Sequence, residues 1–257
     1  LLTSEANIGN QSGKEWSEKI ITELKEMPNV LLKNRAQVFG YYDHNMLVMS
    51  EKVNDHLPKS KKYSPKQRLW YIRAKEAIIS SGSIERPIVF GNNDTPGVVL
   101  SSAAKEYLKI YGVLVGKKPI IFTNNDSAYE TAISLNNSGV KVNSVIDVRE
   151  KSNSTIVKFV ENLGIKVYWK HTIVNTNGYK RINSVEIMKL SDDGSNVVGN
   201  KFNENCDCLG ISGGWTPMVH LFTQSGGKLK FKDEDKIFIP NSAQSNQISV
   251  GSCNGDF

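Results

Sequence analysis

Residues Lys118 to Glu150, KPIIFTNNDSAYETAISLNNSGVKVNSVIDVRE, have the layout of a dinucleotide-binding strand, turn, helix and strand. In such a unit the first turn must let the backbone approach a pyrophosphate, which calls for small residues at a helix N-terminus. An acid at the end of the second strand then holds a ribose hydroxyl. Asp147 stands where that acid belongs. The turn, however, reads Asn124, Asn125, Asp126 where glycines are needed. Asn and Asp tolerate left-handed turn geometry and cap helices, but they keep the backbone away from a diphosphate, and the Asp126 carboxylate repels it. Two readings stay open, a nucleotide site and a Rossmann-like unit kept for packing, and the residues favour packing.

Two other places end a strand in small residues: Ser80-Ser81-Gly82 and Val250-Gly251-Ser252. Small residues there let a ligand lie across strand ends, and a plain turn explains them equally well. Ser212-Gly213-Gly214-Trp215 could face a cofactor or partner, or bury a Trp anchor. His220, within PMVHLF, reads as a core histidine. Tyr41, Tyr42, Asp43 and His44 read as a hairpin tip. Cys206 and Cys208 form C-x-C, which lacks metal-ligand spacing, and three cysteines make no disulfide framework, so reduced thiols are expected. No Ser-His-Asp set, paired catalytic carboxylates or metal-ligand cluster stands out. No catalytic residue and no metal site are therefore assigned, which points to a binding or scaffold part of something larger.

The elements around these residues are legible from periodicity. Trp16, Ile20, Ile21 and Leu24 lie at helical spacing, closed by Pro28-Asn29. Residues 30–53 read as strands with a break at Gly40 and a turn at Asp43–Asn45. NDHLPKSKKYSPKQ is a polar loop, and RLWYIRAKEAIISSGS reads as strand, turn and strand. SSAAKEYLKIYG is a helix capped by Ser101 or Ser102 and closed by Gly112. KPIIFT is apolar on both faces, as in a buried parallel strand. The alternation of helix and strand continues through STIVKFVENLG and IKVYWKH. Asn177-Gly178 marks a hairpin, and CDCLGISG and IFIPN to ISV read as closing strands of a core sheet. The expected organisation is an inserted βαβ domain with a β-meander at 113–190, flanked by 1–112 and 191–257, which together form one partial nucleotide-binding domain.

With 257 residues, 39% hydrophobic and 23% charged, the chain suits a globular protein with a substantial core. Its net charge of +6 is scattered, without an arginine-rich, aromatic-interleaved element, so no nucleic-acid partner is expected. No apolar run approaches the roughly 20 residues of a membrane span, and LLTSEANIGN is not a signal peptide. A cytoplasmic location without membrane contact is the expectation. The abrupt first and last residues read as those of a fragment.

The order of pieces resembles the two-dinucleotide flavoprotein disulfide reductases. The small-small-Gly of Ser80-Ser81-Gly82 is followed by Arg86-Pro87, then by the run from Asn93 to Val98, an inserted βαβ unit, and Val250-Gly251-Ser252. The strings RAQVFGYYDHN, ERPIVFGNNDTPGVVL, YLKIYGV, FTNNDSAY and SGGWTPMVHLFTQSGGKLKF are similar to the alpha-subunit family of heterotetrameric sarcosine oxidases, over essentially the whole chain. The resemblance implies an α/β, Rossmann-like three-layer two-dinucleotide-binding fold, incomplete at its N-terminus. It implies an oxidoreductase assembly that oxidatively demethylates sarcosine to glycine, with hydrogen peroxide formed and the one-carbon unit passed to tetrahydrofolate. Beta, gamma and delta partner subunits, FAD and FMN in the whole complex, and a folate domain outside this chain come with it.

In that family the alpha subunit holds NAD in the flanking domain. Carried over, Val38 would lie near the adenine, Ser81 and Gly82 under the nucleotide, and Gly251 and Ser252 on the pyrophosphate side. Ser252 stands where the reductases place an Asp against the flavin ribityl chain, which suits NAD rather than FAD. The redox cysteine pair of the reductases is absent. A related opine or imino-acid dehydrogenase subunit without folate chemistry, and a non-catalytic scaffold without nucleotide, are the alternatives.

Overall fold

The computed structural model describes residues 7–57 and 63–257. The centre of the polar loop, 58–62, and residues 1–6 of the opening stretch lie outside the described residues.

Two short strands, β1 (Asn7–Ile8) and β2 (Gln11–Ser12), lead into α1 (Gly13–Glu26). Strands β3 (Ala36–Tyr42), β4 (Met46–Lys52), β5 (Gln67–Arg73), β6 (Ala77–Ile79), β7 (Ser83–Glu85) and β8 (Val98–Leu100) precede α2 (Ser101–Tyr111). Then come β9 (Pro119–Thr123), α3 (Ser127–Asn137), β10 (Ser144–Asp147), α4 (Thr155–Asn162) and β11 (Lys166–Trp169). The meander β12 (His171–Gly178), β13 (Ile182–Leu190) and β14 (Val197–Asn205) follows, then β15 (Cys208–Ser212) and β16 (Trp215–Pro217). The chain closes with α5 (His220–Gln224), β17 (Lys228–Lys232), β18 (Ile237–Ser242), β19 (Gln247–Ser249) and a 3-10 turn, Gly251–Asn254. The chain divides into two compact units: residues up to Ile20 with Glu85–Gly214, and Ile21–Ile84 with Trp215–Phe257.

The first unit is built on a five-stranded sheet of order β11-β10-β9-β15-β8, with every pairing parallel. All five residues of β9 and all four of β10 are buried; Ile120–Phe122 and Val145-Ile146 are apolar on both faces, as central parallel strands require, while Ser144 and Asp147 are buried polar ends of β10. Successive side chains serve opposite layers. Ile121 packs with Tyr129, Leu135 and Val157 of the helices, while Ile120 and Phe122 pack with Ile173, Val185 and Ile187 of the meander. Three layers result. The domain expected at 113–190 lies inside this unit, yet the sheet reaches beyond those limits. β8 comes from before them, and β15 enters between β9 and β8 from after them.

Gly112 closes α2 in the left-handed conformation at φ 64°, as expected. The N-terminal cap differs. Leu100 holds the cap position and Ser101 lies inside the helix, so neither serine hydroxyl caps it. The carboxylate of Glu85, 4% exposed, accepts the Ser102 N–H at 2.8 Å instead. A negative group at a helix N-terminus also complements the helix dipole.

In the second unit β3, β4 and β5 form an antiparallel sheet with a bulge between Val38 and Gly40. Tyr41, fully buried, packs with Ile79, Phe222 and Cys253. Its hydroxyl donates to Asn45 Oδ1 at 2.8 Å, and Asn45 Nδ2 donates to the carbonyls of Lys75 and Asn246 at 3.0 Å each. The hairpin tip is thus a structural tie. It joins residues around 40 to residues beyond 240, and β6 and β19 pair in parallel beside it.

Candidate nucleotide site

The turn after β9 is held by its own side chains. The Thr123 hydroxyl accepts the Asn125 N–H at 3.0 Å and donates to the Asn125 carbonyl at 2.9 Å. Asn125 Oδ1 accepts from the Ser127 N–H at 3.1 Å and the Ser127 hydroxyl at 2.6 Å, while its Nδ2 donates to Ser212 Oγ at 3.0 Å. Asn125 therefore takes the Ser127 N–H and hydroxyl at the start of α3, donors that a phosphate would otherwise use.

Asp147, with no exposed surface, is occupied on both oxygens. Oδ1 accepts the Arg149 N–H at 2.9 Å and Nε at 3.1 Å; Oδ2 accepts Arg149 Nη2 at 2.8 Å and the Tyr129 hydroxyl at 2.9 Å. Arg149 Nη2 also donates to Asp126 Oδ1 at 2.7 Å. Burial works against the Arg149 charge, but its bonds to Asp147 and Asp126 outweigh that and raise its pKa above the ordinary arginine value. Burial, reinforced by the Asp147 charge, pushes the Tyr129 hydroxyl well above the ordinary phenol range. One cation between two carboxylates leaves a net negative cluster. A dinucleotide needs free donors for its diphosphate and a free carboxylate for its ribose; here the Ser127 donors and both Asp147 oxygens are already taken. The residues do not fit a dinucleotide here. Packing, the reading the sequence favoured, agrees with this geometry.

The ends of β6 and β19 are different. Ile79 stands opposite Ser249 in parallel register, and the Val250 N–H donates to the Ile79 carbonyl at 2.9 Å. Ser80–Gly82 and Val250–Ser252 therefore leave neighbouring strands in the same direction. Gly82 lies at φ 78° and Gly251 at φ 67°, left-handed conformations that favour glycine. A Cβ built on Gly251 would meet nothing within 4 Å, and one on Gly82 only the Ser252 hydroxyl at 4.0 Å. Bare backbone thus faces open space at both strand ends.

The structure brings Ser81, Gly82, Gly251 and Ser252 together. Val38 lies in a different sheet, on β3 opposite Met49, half-buried just before the bulge. The Ser81 hydroxyl is spent on the Met218 carbonyl at 2.7 Å, and the Cys253 thiol on the Ile79 carbonyl at 3.2 Å. These bonds fix the two turns without filling the space between them. The fit is to a ligand recognised largely through backbone, with Ser252 as the side chain beside it.

Gly213 and Gly214 have a packing reason. Cβ atoms on them would lie 2.9 Å from the Pro87 carbonyl and 2.8 Å from the Arg86 guanidinium, and backbone bonds of 2.7 and 2.8 Å tie this turn to Arg86. His220, expected in the core, is exposed at the first position of α5. Cys206, Cys208 and Cys253 are free and buried. Burial pushes the Cys206 and Cys208 thiols up to about 12, so neither is a thiolate at neutral pH. Among the described residues no cluster of His, Cys, Asp and Glu could hold a metal ion, and no helix is long and apolar enough to cross a membrane. Tyr129 and Arg149 went unread as partners of Asp147; the available signal was an arginine two residues beyond a strand-end acid.

No family profile matches the chain. Among solved structures it superimposes on T. acidophilum thioredoxin reductase with a TM-score of 0.66 at 17% identity, covering 100% of this chain and 80% of that one. On L-proline dehydrogenase from P. horikoshii the TM-score is 0.63 at 19% identity, with 95% and 40% covered. The fold is the Rossmann-like α/β fold of the flavin- and NAD(P)-dependent oxidoreductases, as the sequence led us to expect. In sequence the chain is similar to the alpha subunits of sarcosine oxidase. It is 32% identical to that of Rhizobium meliloti strain 1021 over 253 residues, 98% of this chain and 24% of the relative. It is 34% identical to that of Corynebacterium sp. strain P-1 over 254 residues, 97% of this chain and 26% of the relative. The chain thus spans about a quarter of the length of these curated relatives.

Proposed function

We propose that the chain is the NAD-holding portion of an alpha subunit of a sarcosine oxidase-type assembly. The identity of 32% and 34% across nearly the whole chain carries this reading. The open strand ends of β6 and β19 support its cofactor part. Gly82 and Gly251 would let the nucleotide lie on bare backbone, Ser81 would fix the turn beneath it, and Ser252 would stand on the pyrophosphate side. Val38 would flank the adenine. NAD supplies hydride-transfer capacity when bound, but no side chain at these strand ends is placed to move a proton. Its role in this chain is therefore structural.

The complete assembly would oxidatively demethylate sarcosine to glycine, reduce oxygen to hydrogen peroxide, and pass the one-carbon unit to tetrahydrofolate on a domain outside this chain. FAD, FMN and the beta, gamma and delta subunits belong to that larger, cytoplasmic complex. An opine-type dehydrogenase subunit shares the fold and lacks the folate step; a scaffold without nucleotide is the reading from another class.

The test isolates the complete polypeptide with its partner subunits. Nucleotide is released by acid and identified by mass spectrometry, and sarcosine-dependent oxygen uptake is followed with and without tetrahydrofolate. NAD at about one per alpha subunit, with peroxide formed and folate capturing the one-carbon unit, supports the proposal. Amine oxidation without folate dependence moves the chain to the opine type. Neither nucleotide nor oxidation leaves the scaffold. Sequencing the gene on both sides gives an independent check: a G-x-G-x-x-G turn upstream and an aminomethyltransferase-like stretch downstream are expected.

A further inference from the structure

Three stretches of the second unit are assigned to the nucleotide: β3 around Val38, the turn at 80–82 after β6, and the turn at 250–252 after β19. They are far apart in sequence. A ligand held mainly by backbone binds best when such stretches are fixed in one arrangement beforehand. Residues 218–225, MVHLFTQS, bond to all three.

The Met218 backbone grips the first turn twice. Its carbonyl accepts the Ser81 hydroxyl at 2.7 Å, and its N–H donates to the Gly82 carbonyl at 3.0 Å. The last residue of α5 reaches β3. Gln224 Oε1 accepts the Tyr41 N–H at 2.7 Å, just past the bulge that follows Val38. Ser225, 2% exposed, reaches β19. Its hydroxyl donates to the Phe222 carbonyl at 2.9 Å and accepts Gln247 Nε2 at 2.6 Å. Gln247 opens β19, which runs into Val250.

Between these bonds Phe222 is buried with Tyr41 of β3, Ile79 of β6 and Cys253 of the 3-10 turn. A Cβ on Gly227 would lie 2.5 Å from the Phe222 ring, so the chain turns tightly behind it. Apolar contact holds these elements together but is non-directional. The hydrogen bonds of Met218, Gln224 and Ser225 are directional, and they fix where each stretch lies.

We propose that residues 218–225 form a bracket that sets the nucleotide site, an inference resting on the NAD assignment above, with Gln224 and Ser225 as positioning residues that touch no ligand. The WTPMVHLFTQSGG string thereby gains a role that its lone histidine does not supply.

The test uses the complete polypeptide with its partner subunits. The rate of NAD loss during dialysis is followed by acid release, beside the melting temperature of the nucleotide-stripped assembly. Gln224→Met keeps the side-chain length and removes the acceptor. It should speed NAD loss about tenfold, the size of one hydrogen bond, with melting unchanged because Gln224 is exposed. Gln224→Glu keeps an acceptor and should restore the slow loss. Ser225→Ala, which leaves Gln247 Nε2 without its acceptor, should also speed it. Unchanged NAD loss in Gln224→Met and Ser225→Ala overturns the inference and leaves the cofactor standing. So does equal loss from Gln224→Met and Gln224→Glu, or loss that only follows a lower melting temperature. Absence of NAD from the unaltered assembly removes the cofactor and the bracket's role together.

Discussion

Two of the parallel strand pairs, β9 with β10 and β6 with β19, end in opposite kinds of surface. At β9 and β10 the backbone is covered by side chains that satisfy one another: Asn125 holds the start of α3, and Asp147 is enclosed by Arg149 and Tyr129. At β6 and β19 the backbone is bare, with Gly82 and Gly251 in left-handed conformations beside open space. The lesson is that the βαβ layout does not make a ligand site. What decides is whether strand-end donors and acceptors remain unspent and whether a ligand can reach the backbone.

Removing Asp147 should produce the largest effect. Asp147→Ala leaves the Arg149 guanidinium and Tyr129 hydroxyl without their central acceptor, and breaking a buried pair costs about 3–5 kcal/mol. A guanidinium titration should show the lower midpoint, while the NAD content of the folded fraction stays unchanged. A loss of NAD in step with Asp147 would place the cofactor at the wrong strand ends and break the comparison.

Gly251→Val comes next. A β-branched residue at φ 67° costs about 1–3 kcal/mol of backbone strain, and its methyls enter the space assigned to the nucleotide. NAD retention, measured by acid release after dialysis, should fall at least tenfold. Full retention would mean that this backbone does not face the cofactor.

Alkaline pH should loosen the first unit in particular. Cys206 and Cys208 stay protonated in the fold up to about 12, against 9.0 ordinarily, and Tyr129 is raised in the same direction. In the unfolded chain these groups ionise from about pH 9–10, so the unfolded state there binds fewer protons than the native one, and stability falls as pH rises. Denaturation midpoints at pH 8 and pH 10.5 should differ in that sense. A midpoint that rises with pH would contradict the burial of these groups.

The smallest effect sharpens the comparison most. Asp126 is partly exposed, so Asp126→Asn should cost less than about 1 kcal/mol. It removes the repelling charge but leaves Asn125 on the helix start. No second NAD should bind, as read by equilibrium dialysis. Binding at two per chain would show that charge alone had closed the turn.

Much of the first unit was legible because its physics is local. β9 and β10 are apolar at successive positions, Gly112 closes a helix, and Asn177-Gly178 falls between alternating runs. The reason for the missing glycines was half legible: Asn and Asp announced a self-sufficient turn, but not that Arg149 would close over Asp147. The cap of α2 was unreadable because its acceptor, Glu85, lies 17 residues away from Ser102. His220 misled because apolar neighbours in sequence do not bury a residue that opens a five-residue helix. The clustering of Gly82 with Ser252 rests on the pairing of β6 with β19, which local pattern alone does not supply.

The late entry of β15 between β9 and β8 has a consequence for synthesis. β9 leaves the ribosome with one side of its hydrogen-bonding ladder unpaired, and its partner Cys208–Ser212 follows roughly 90 residues later, about 5–18 s at ordinary elongation rates. Through that interval Ile120 and Phe122 belong to an incomplete, apolar sheet. The newborn chain is therefore expected to depend on chaperones most during the stretch in which the meander is being made.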